Sequence, residues 1–366
     1  MKRLLSVLLC FAALLFVCSC EAQPQPTNTP AVTSMSTDLP SENDLKVHFI
    51  NVGQGDSSFI EFPDGSTMLI DAGEREYGSV VLSYIRSLGY DHIDYLVATH
   101  PHSDHIGGMH EVVEGTNIGA VYMPRAQSNT ATFEKLLTAI KSKGLKIGQA
   151  KAGVSIKKTD NVSVDILSPV SDQYDNLNNW SAVIMITYGK TKYLFMGDAE
   201  REVEKQLYDC RADVVKVGHH GSSTSSSPDF IARTDAKYAV VSVGEGNSYG
   251  HPHKETLTAW QNAGATVLRT DQLGTIVIGS NGTLVTALGG GGVISSDAVT
   301  SSKDEPDNQS SKAQYKYVLN ISSKKIHLPS CSAVTDMNAE NRQYTSKTLN
   351  ELLAEGYSAC GNCKPS

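Results

Sequence analysis

Between residues 45 and 287, segments with the hydrophobic pattern of β-strands alternate with segments that have the hydrophobic spacing of α-helices. Short runs rich in β-branched and aromatic residues, among them LKVHFINVG, IDYLVATH and AKYAVVSVG, predict buried strands. Helical spacing of apolar residues predicts helices in GSVVLSYIRSLGY, ATFEKLLTAIKSKG, AEREVEKQLYD and HKETLTAWQNAG. Near the end, ATVLRT and GTIVIGS are expected to pair as a hairpin.

Strand pairs recur in both halves of this region, with helices between them. This order predicts an α/β domain with a four-layer αββα sandwich. A single Rossmann unit does not fit, because no GxGxxG opens a helix after the first strand.

Polar stretches without periodicity flank the domain. Residues 20–44 are rich in Pro, Thr and Ser, and residues 288–314 are rich in Gly, Ser and acids, which is typical of a tether and a linker. We expect the large domain to span 45–287 and a small module to span 315–366.

The N-terminus predicts export. Lys2 and Arg3 precede an apolar run over residues 4–17, which is too short for a confident membrane span, so residues 1–19 are expected to be a signal peptide. The run ends in VCSC, which resembles a bacterial lipobox with Cys20 as the lipidated residue. The resemblance implies a lipoprotein at the outer face of the cytoplasmic membrane. An ordinary cleaved signal, giving a secreted protein, is the alternative.

The charge balance restricts the partners. A formal net charge of −8 over 366 residues argues against a broadly cationic nucleic-acid binder, although a local basic groove remains open. The run KSKGLKIGQAKAGVSIKK, residues 141–158, contains six lysines and no acid. It is a candidate phosphate-steering patch, with a solvated lysine face as the alternative. No organic cofactor is expected.

Histidines and aspartates gather where predicted strands end. The stretch ATHPHSDHIGG, residues 98–108, places three histidines and one aspartate in six positions directly after a strand. Other metal-type side chains follow later strands in the same way, namely Asp198, His219, His220 and His251. Because loops after strands converge at one sheet edge, we expect one cluster of metal ligands there.

The spacing also divides the cluster. In an extended turn, His100 and His102 can face one ion while Asp104 and His105 face another, and the two oxygens of Asp198 can bridge them. Two ions about 3.5–4 Å apart can hold a bridging hydroxide as the nucleophile and stabilise the attacking and leaving oxygens. The pattern therefore predicts a metal-dependent hydrolase.

Three further polar residues are candidates for supporting roles in the site. Asp56 either orients the ligand histidines or belongs to a turn between strands. Asp71 either hydrogen-bonds the ligand loop or caps a strand. Ser222, after the paired histidines, is a candidate for holding a phosphate oxygen.

These segments resemble a known family. THPHSDHIGG resembles the HxHxDH signature of the metallo-β-lactamase superfamily, and FINVGQGDSSFI, YLFMGDAE, KVGHHGS and NSYGHPH resemble its ComEC-like branch, related to competence proteins. The resemblance implies the αββα fold, two divalent metals (Zn or Mn) and hydrolysis, which in competence proteins is thought to be nucleolytic.

One departure from the superfamily pattern matters. Many members carry a histidine before the bridging aspartate, where this chain reads NLNNWSA, with Asn178 as a candidate substrate contact. We expect His219 or His220 to complete the first metal and His251 the second. The member of the pair that is not a ligand is expected to face the substrate or protonate the leaving group.

The C-terminal module carries a second ligand pattern. His327-x3-Cys331 and Cys360-x2-Cys363 form two short-spaced pairs, which is typical of a closed tetrahedral zinc site. A module this small needs such a staple. It resembles the Ada zinc-binding domain with His327 in place of a cysteine, which implies one structural zinc and contact with nucleic acid. A disulfide from Cys331 to Cys360 or Cys363 is the alternative.

Together these features predict an exported dinuclear-metal phosphodiesterase or nuclease acting on DNA or RNA at the cell surface. One alternative is a surface hydrolase of small phosphodiesters, choline-bearing polymers or lactone and lactam rings. A further alternative is a non-catalytic surface binding lipoprotein.

Overall fold

The computed structural model describes residues 44–289, 292–293, 317–328, 342–345, 347–360 and 363. The signal peptide, Cys20, nearly all of the tether, most of the linker and Cys331 lie outside the described residues.

Two β-sheets are formed within residues 44–293. Their strands are β1 (Leu45–Phe49), β2 (Ser58–Glu61), β3 (Thr67–Ile70), β4 (His92–Val97), β5 (Asn117–Met123), β6 (Ile147–Gln149), β7 (Ser155–Lys158), β8 (Val162–Ser168), β9 (Val183–Tyr188), β10 (Thr191–Phe195), β11 (Val214–Lys216), β12 (Tyr238–Val241), β13 (Thr266–Arg269), β14 (Ile276–Ser280), β15 (Val285–Gly289) and β16 (Gly292–Val293). In the described residues the first sheet has the order β16-β15-β14-β1-β2-β3-β4-β5-β6, and the second has the order β13-β12-β11-β10-β9-β8-β7.

Helices cover the outer face of each sheet. They are α1 (Gly78–Ser87), α2 (Ser103–Ile106), α3 (Met109–Gly115), α4 (Ala131–Ser142), α5 (Arg201–Glu204), α6 (Pro228–Thr234), α7 (Lys254–Asn262) and α8 (Thr270–Leu273). Apolar residues of α1 to α4 pack on the first sheet, and those of α5 to α7 pack on the second. A third core fills the space between the sheets. The predicted αββα sandwich is therefore confirmed.

Alternation along the strands builds these layers. In β10, Tyr193 and Phe195 enter the core between the sheets, whereas Leu194 faces the outer helices. Because both faces of such a strand are buried, its sequence reads as a continuous apolar run.

The prediction that ATVLRT and GTIVIGS pair as a hairpin is wrong. Strand β13 pairs parallel with β12 in the second sheet, while β14 pairs antiparallel with β1 in the first. Helix α8 separates the two strands and carries the chain from one sheet to the other. The first sheet also continues through Gly289 and residues 292–293, beyond the expected domain end at 287.

The helix predicted from AEREVEKQLYD is much shorter than expected. Only Arg201–Glu204 is helical. The guanidinium of Arg233 donates to the backbone carbonyls of Glu204 at 2.7 Å and Leu207 at 2.6 Å. These tertiary bonds satisfy carbonyls that a longer helix would otherwise have used.

The described part of the C-terminal module forms a small sheet. Its elements are β17 (Tyr317–Asn320), β18 (Lys325–His327), β19 (Arg342–Thr345), α9 (Leu349–Ala354) and β20 (Ser358–Ala359), and its strand order is β19-β17-β18-β20. Tyr317, Leu319, Ile326 and Leu352 form a small core. Across all the described residues, no helix combines the length and apolar character needed to span a bilayer.

Parallel pairing fixes the place of the functional site. Strands β3 to β6 are parallel to one another in the first sheet, and strands β10 to β13 are parallel to one another in the second. The carboxyl ends of parallel strands are where α/β proteins form their clefts. The loops after β4, β10, β11 and β12 carry the expected metal ligands, namely His100, His102, Asp104, His105, Asp198, His219, His220 and His251.

Candidate dinuclear metal centre

Four side chains from three separate loops form the first ligand group. The nearest ligand atoms of Asp104, His105, Asp198 and His220 all lie within 4.8 Å of one another. His220 Nε2 is 3.1 Å from Asp104 Oδ2, and His105 Nε2 is 3.1 Å from Asp198 Oδ1. This group joins the loop after β4 to the loops after β10 and β11.

A second ligand group shares Asp198. It contains His100, His102 and Asp198, again with ligand atoms within 4.8 Å of one another. His100 Nε2 lies 3.0 Å from His102 Nδ1 and 3.8 Å from Asp198 Oδ2. We call these two sets the four-residue group and the three-residue group.

The two oxygens of Asp198 face different groups. Oδ1 is 3.1 Å from His105 Nε2 and 3.4 Å from His220 Nε2, whereas Oδ2 faces His100. One carboxylate can therefore contribute to two neighbouring ions, as the sequence predicts.

The spacing of the ligand atoms fits bound cations. Ligand atoms around a tetrahedral zinc stand about 3.3 Å apart, since each lies ~2.0–2.1 Å from the ion. The pairs in the four-residue group lie 3.1 to 3.7 Å apart. His105 Nε2 and Asp198 Oδ1 are both buried and, despite their proximity, lack a hydrogen-bond partner. Buried polar atoms without partners are costly unless an ion satisfies them.

Electrostatics favour positive charge at this place. Although burial opposes the charged form, Asp198, Asp104 and Asp71 raise the pKa of His105 well above its ordinary value. Against the same effect of burial, Asp198 and Asp56 raise the pKa of His220 to about 10. The carboxylates thus stabilise cationic charge so strongly that, without metal, the imidazoles hold protons instead.

Asp71 supports one histidine of each group. Its Oδ2 is 2.8 Å from His105 Nδ1 and accepts a 2.6 Å hydrogen bond from the Thr99 hydroxyl. The Thr99 oxygen in turn lies 3.1 Å from His100 Nδ1. With Nδ1–H directed at these acceptors, the Nε2 atoms of both rings are left to face the ion positions. Of the two interpretations of Asp71, hydrogen bonding to the ligand loop is the one observed.

Asp56 lies behind the four-residue group together with Lys216, which was not among the residues predicted from the sequence. Asp56 Oδ1 is 3.2 Å from His220 Nδ1, and Oδ2 is 2.5 Å from Lys216 Nζ. Lys216 is buried, with 2% of its surface exposed. The signal was available in VVKV, because a lysine interrupting a buried strand requires a buried partner.

The paired histidines occupy a strained turn. His219 and His220 have φ of 50° and 51°, the left-handed region that residues other than glycine rarely adopt. The turn separates their side chains. His220 Nδ1 meets the carbonyl of Ser242 at 3.0 Å, while His219 Nδ1 meets the Thr224 hydroxyl at 3.1 Å. Such strain concentrates at functional sites.

The structure arranges the remaining histidines differently from the expected division. His220 belongs to the four-residue group, where we expected His251. His219 Nε2 lies 3.7 Å from Asp198 Oδ2 but is not part of the three-residue group. His251 stands beside His219, with ring centroids 5.4 Å apart, and its buried Nδ1 lacks a hydrogen-bond partner. Burial, with the nearby His219 and His220, lowers the pKa of His251 to about 4, so its ring is neutral at pH 7.

A cleft of about 270 Å³ opens onto both groups. Asn178 lines it, as expected for a substrate contact, and its amide lies 3.4 Å from His219 Nδ1. Gln54 and Tyr249 also line the cleft, although no motif in the sequence indicated them. Ser222 does not line it. Its side chain is buried against Thr224, so a substrate phosphate cannot reach the hydroxyl.

The basic run over residues 141–158 is not a uniform patch. Lys157 is buried and pairs with Asp64 at 2.5 Å, so it is not available to a phosphate. Lys143 donates to the backbone carbonyl of Thr116. Lys141, Lys146 and Lys151 are exposed.

The C-terminal module brings three of its four expected ligands together. Ligand atoms of His327, Cys360 and Cys363 lie within 4.8 Å of one another. The backbone N–H of Leu328 donates to Cys363 Sγ at 3.3 Å, and His327 Nδ1 is buried without a partner. This donor set suits zinc. The fourth expected ligand, Cys331, is outside the described residues.

Comparisons with known proteins agree with this architecture. Residues 50–245 match the family model described as "Metallo-beta-lactamase superfamily". The chain is 31% identical over 252 residues to "ComE operon protein 3" of Bacillus subtilis, covering 63% of this chain and 32% of that protein. It is 28% identical over 258 residues to "Competence protein ComA" of Neisseria gonorrhoeae, covering 69% and 33%. This chain thus spans about a third of the length of these relatives.

Among solved structures, the metallo-beta-lactamase fold protein YhfI from Bacillus subtilis is similar at 14% identity. The match covers 65% of this chain and 100% of that one, with a TM-score of 0.46.

Proposed function

Because the chain belongs to the metallo-beta-lactamase superfamily, we propose that it is a dinuclear-metal hydrolase that cleaves phosphodiester bonds of DNA or RNA. One observation carries this proposal, namely that the two oxygens of Asp198 face two separate ligand groups. The name of one relative, "Competence protein ComA", refers to competence and supports nucleic acid as the substrate class.

Each ligand group would hold one divalent cation, zinc or manganese. When bound, such a pair supplies an ionised water and positive charge for the attacking and leaving oxygens of a displacement at phosphorus. Asp71 and the Ser242 carbonyl hold the imidazole rings of His105 and His220 through their Nδ1 atoms, and the Asp56 carboxylate lies beside the second ring. No serine or cysteine nucleophile is then required.

We assign the proton donor to His219. Its ring is held at Nδ1 by Thr224 and lies 3.3 Å from the Glu200 carboxylate, which leaves Nε2 facing the cleft. In the proposed hydrolysis the water gives one proton to the solvent, its oxygen then bonds to phosphorus as hydroxide, and the ester P–O bond breaks. His219 Nε2–H gives its proton to the leaving oxygen, yielding a phosphate monoester and an alcohol.

Export and anchoring belong to the same proposal. A lipid on Cys20 would tether the enzyme to the outer face of the cytoplasmic membrane, where extracellular nucleic acid is accessible. His327, Cys331, Cys360 and Cys363 would bind one zinc that stabilises the C-terminal module.

A substrate panel tests the proposal. Full-length protein lacking only the signal peptide is loaded with metal and incubated with plasmid, oligonucleotide and bis-p-nitrophenyl phosphate. We expect cleavage of both nucleic acids. His102→Ala should lower turnover more than about 100-fold, since losing even an outer partner of a ligand costs 10–100-fold. His92→Ala, at a surface histidine outside the site, serves as the matched control.

The outcomes separate the alternatives. Hydrolysis of the small ester alone would replace nucleic acid by small phosphodiesters as the substrate class. No hydrolysis of any substrate, with two metals bound in the hydrolase domain, would indicate a non-catalytic surface binding protein.

A further inference from the structure

A second cleft lies beside the metal-ligand cleft. It has a volume of about 170 Å³ and is formed by loops that follow β5, β6 and β8. The single-turn helix Leu177–Trp180 separates the two clefts, with Asn178 lining the first and Trp180 lining the second. Because Asn178 and Trp180 are only two residues apart, a chain-like ligand that passes over this turn can contact both clefts.

The second cleft carries unpaired positive charge. Arg125 and Lys151 line it, both exposed, and within the described ranges neither side chain has a hydrogen bond or an ion pair. One carboxylate, Asp172, also lines the cleft, which leaves an excess of one positive charge. On a protein of net charge −8, a local excess of cations beside a hydrolytic site favours an anionic ligand.

An aromatic ring completes the arrangement. Trp180 is half-buried, and its orientation is fixed by a 3.2 Å hydrogen bond from Nε1 to the Tyr174 carbonyl and by edge packing against the Tyr174 ring. The basic run 141–158 contains no aromatic residue. The fold supplies one from a distant segment and places it in the same cleft as Lys151.

Cations that follow a backbone, together with an aromatic ring for stacking, are the features that bind single-stranded nucleic acid. We propose that the second cleft is a subsite for the unpaired nucleotides next to the scissile bond. Arg125 and Lys151 contact phosphates there, and Trp180 stacks on a base. This subsite rests on the proposed function, because the strand that it holds is the substrate of the metal-ligand cleft.

Tryptophan fluorescence provides a direct test. The chain contains two tryptophans, and the other, Trp260, is fully buried and hydrogen-bonded to Ser226. Quenching by a bound base therefore reports on Trp180. The measurement uses the chain without its signal peptide and with His102→Ala, so that the oligonucleotide is not cleaved. This protein is titrated with oligo(dT) and, separately, with thymidine monophosphate. We expect saturable quenching by the oligonucleotide at concentrations where the mononucleotide gives none.

Charge-matched variants isolate the phosphate contacts. Arg125→Gln with Lys151→Gln should weaken oligonucleotide binding at least roughly tenfold at low salt. The slope of log affinity against log salt should become shallower by about 1.4, since each contact to a single strand contributes ~0.7. Lys141→Gln with Lys146→Gln removes the same charge from the same basic run outside the cleft and should leave both quantities unchanged.

Substitutions of Trp180 isolate stacking. In fluorescence anisotropy with a labelled oligonucleotide, Trp180→Phe should bind nearly as well as the parent, whereas Trp180→Leu should bind about 5- to 150-fold more weakly. Three results would each overturn the subsite. The first is an equal loss of oligonucleotide affinity in the two double variants. The others are no quenching by the oligonucleotide, or equal quenching by the mononucleotide. Plasmid cleavage without quenching would refute the subsite alone, and quenching without cleavage would refute the proposed nuclease alone.

Discussion

Asp71 shows how one buried carboxylate can organise a whole metal site. It bonds the Nδ1 of His105 directly and reaches His100 through Thr99, so it fixes one ring in each ligand group. Its own φ of 57° is strained, which indicates that the surrounding structure holds the carboxylate in this position. Loss of this single acceptor should therefore affect both ions.

We predict that Asp71→Asn lowers the affinity for both cations of the hydrolase domain by about 10–100-fold. The amide can donate to His105 Nδ1, and this would move the ring proton to Nε2, where the ligand lone pair is needed. Isothermal titration with Mn²⁺ measures the effect. Asp229→Asn, at an exposed carboxylate paired with Arg233, is the control. Wild-type affinity in Asp71→Asn would contradict the role.

For single residues, the sequence was informative where a residue type has few possible functions. The histidines and aspartates of ATHPHSDHIGG could be assigned to metal binding because few other functions use them at that spacing. VVKV indicates a buried partner for Lys216 but not that this partner is Asp56, which is distant in the sequence. The role of Trp180 could not be assigned, because it depends on the distant loop of Lys151.

The turn after β11 carries the site at the level of secondary structure. His219 and His220 are followed by Gly221, whose φ is 82°. A Cβ atom at Gly221 would lie 2.6 Å from Pro252 Cβ, so the turn and the loop bearing His251 are in direct contact. Two histidine-bearing loops therefore keep their relative position through one glycine.

We expect Gly221→Ala to displace this turn and to abolish turnover and cation binding by the four-residue group. Gly264→Ala is a matched control, because that glycine also has a positive φ, 90°, but no atom within 4 Å of the added carbon. Both changes should cost about 1–2 kcal/mol from the left-handed backbone alone. Thermal unfolding measures the loss of stability that both variants share. Metal titration measures the loss of cation binding that we expect in Gly221→Ala alone. Equal metal binding by the two variants would show that the contact with Pro252 is unimportant.

Helices and strands were predicted well where the hydrophobic periodicity extended over many residues. They were predicted poorly where tertiary contacts determined strand pairing or the end of a helix. Helices α1, α4 and α7 appear where the apolar spacing indicated. The position of β13 and β14 in different sheets was missed, since pairing of neighbouring strands is the more frequent local solution. The short α5 was missed because Arg233, 29 residues away from Glu204, accounts for its end.

For the whole molecule, four buried or half-buried carboxylates and several imidazoles share one junction between the sheets. The αββα fold and the ComEC-like assignment followed from motifs spread over most of the domain, and the competence-protein relatives confirm the latter. The C-terminal resemblance to the Ada domain stays a prediction. The exact division of histidines between the ions could not be predicted, because it depends on the strained turn at His219.

The charge balance of this junction predicts how pH acts on stability. The raised pKa of His220, about 10, means that its imidazolium stabilises the metal-free fold fully below pH ~6.5, and that this contribution is lost as pH rises towards 10. A bound cation replaces that charge and competes with protons for the same nitrogen. Stabilisation by metal should therefore increase from pH 6 to pH 8.5.

Calorimetric unfolding with and without saturating Mn²⁺ measures this increase. Manganese is chosen because thiolate sites such as the one near Cys360 favour zinc. A melting-temperature difference that is independent of pH would contradict the competition between protons and cations.

The ligands of each ion come from both sheets, since His100 to His105 follow β4 while Asp198 and His220 follow β10 and β11. Neither half of the domain can assemble the centre alone. A chain with only one half folded, or one cut between the halves and separated, would therefore bind neither cation and carry no hydrolytic activity.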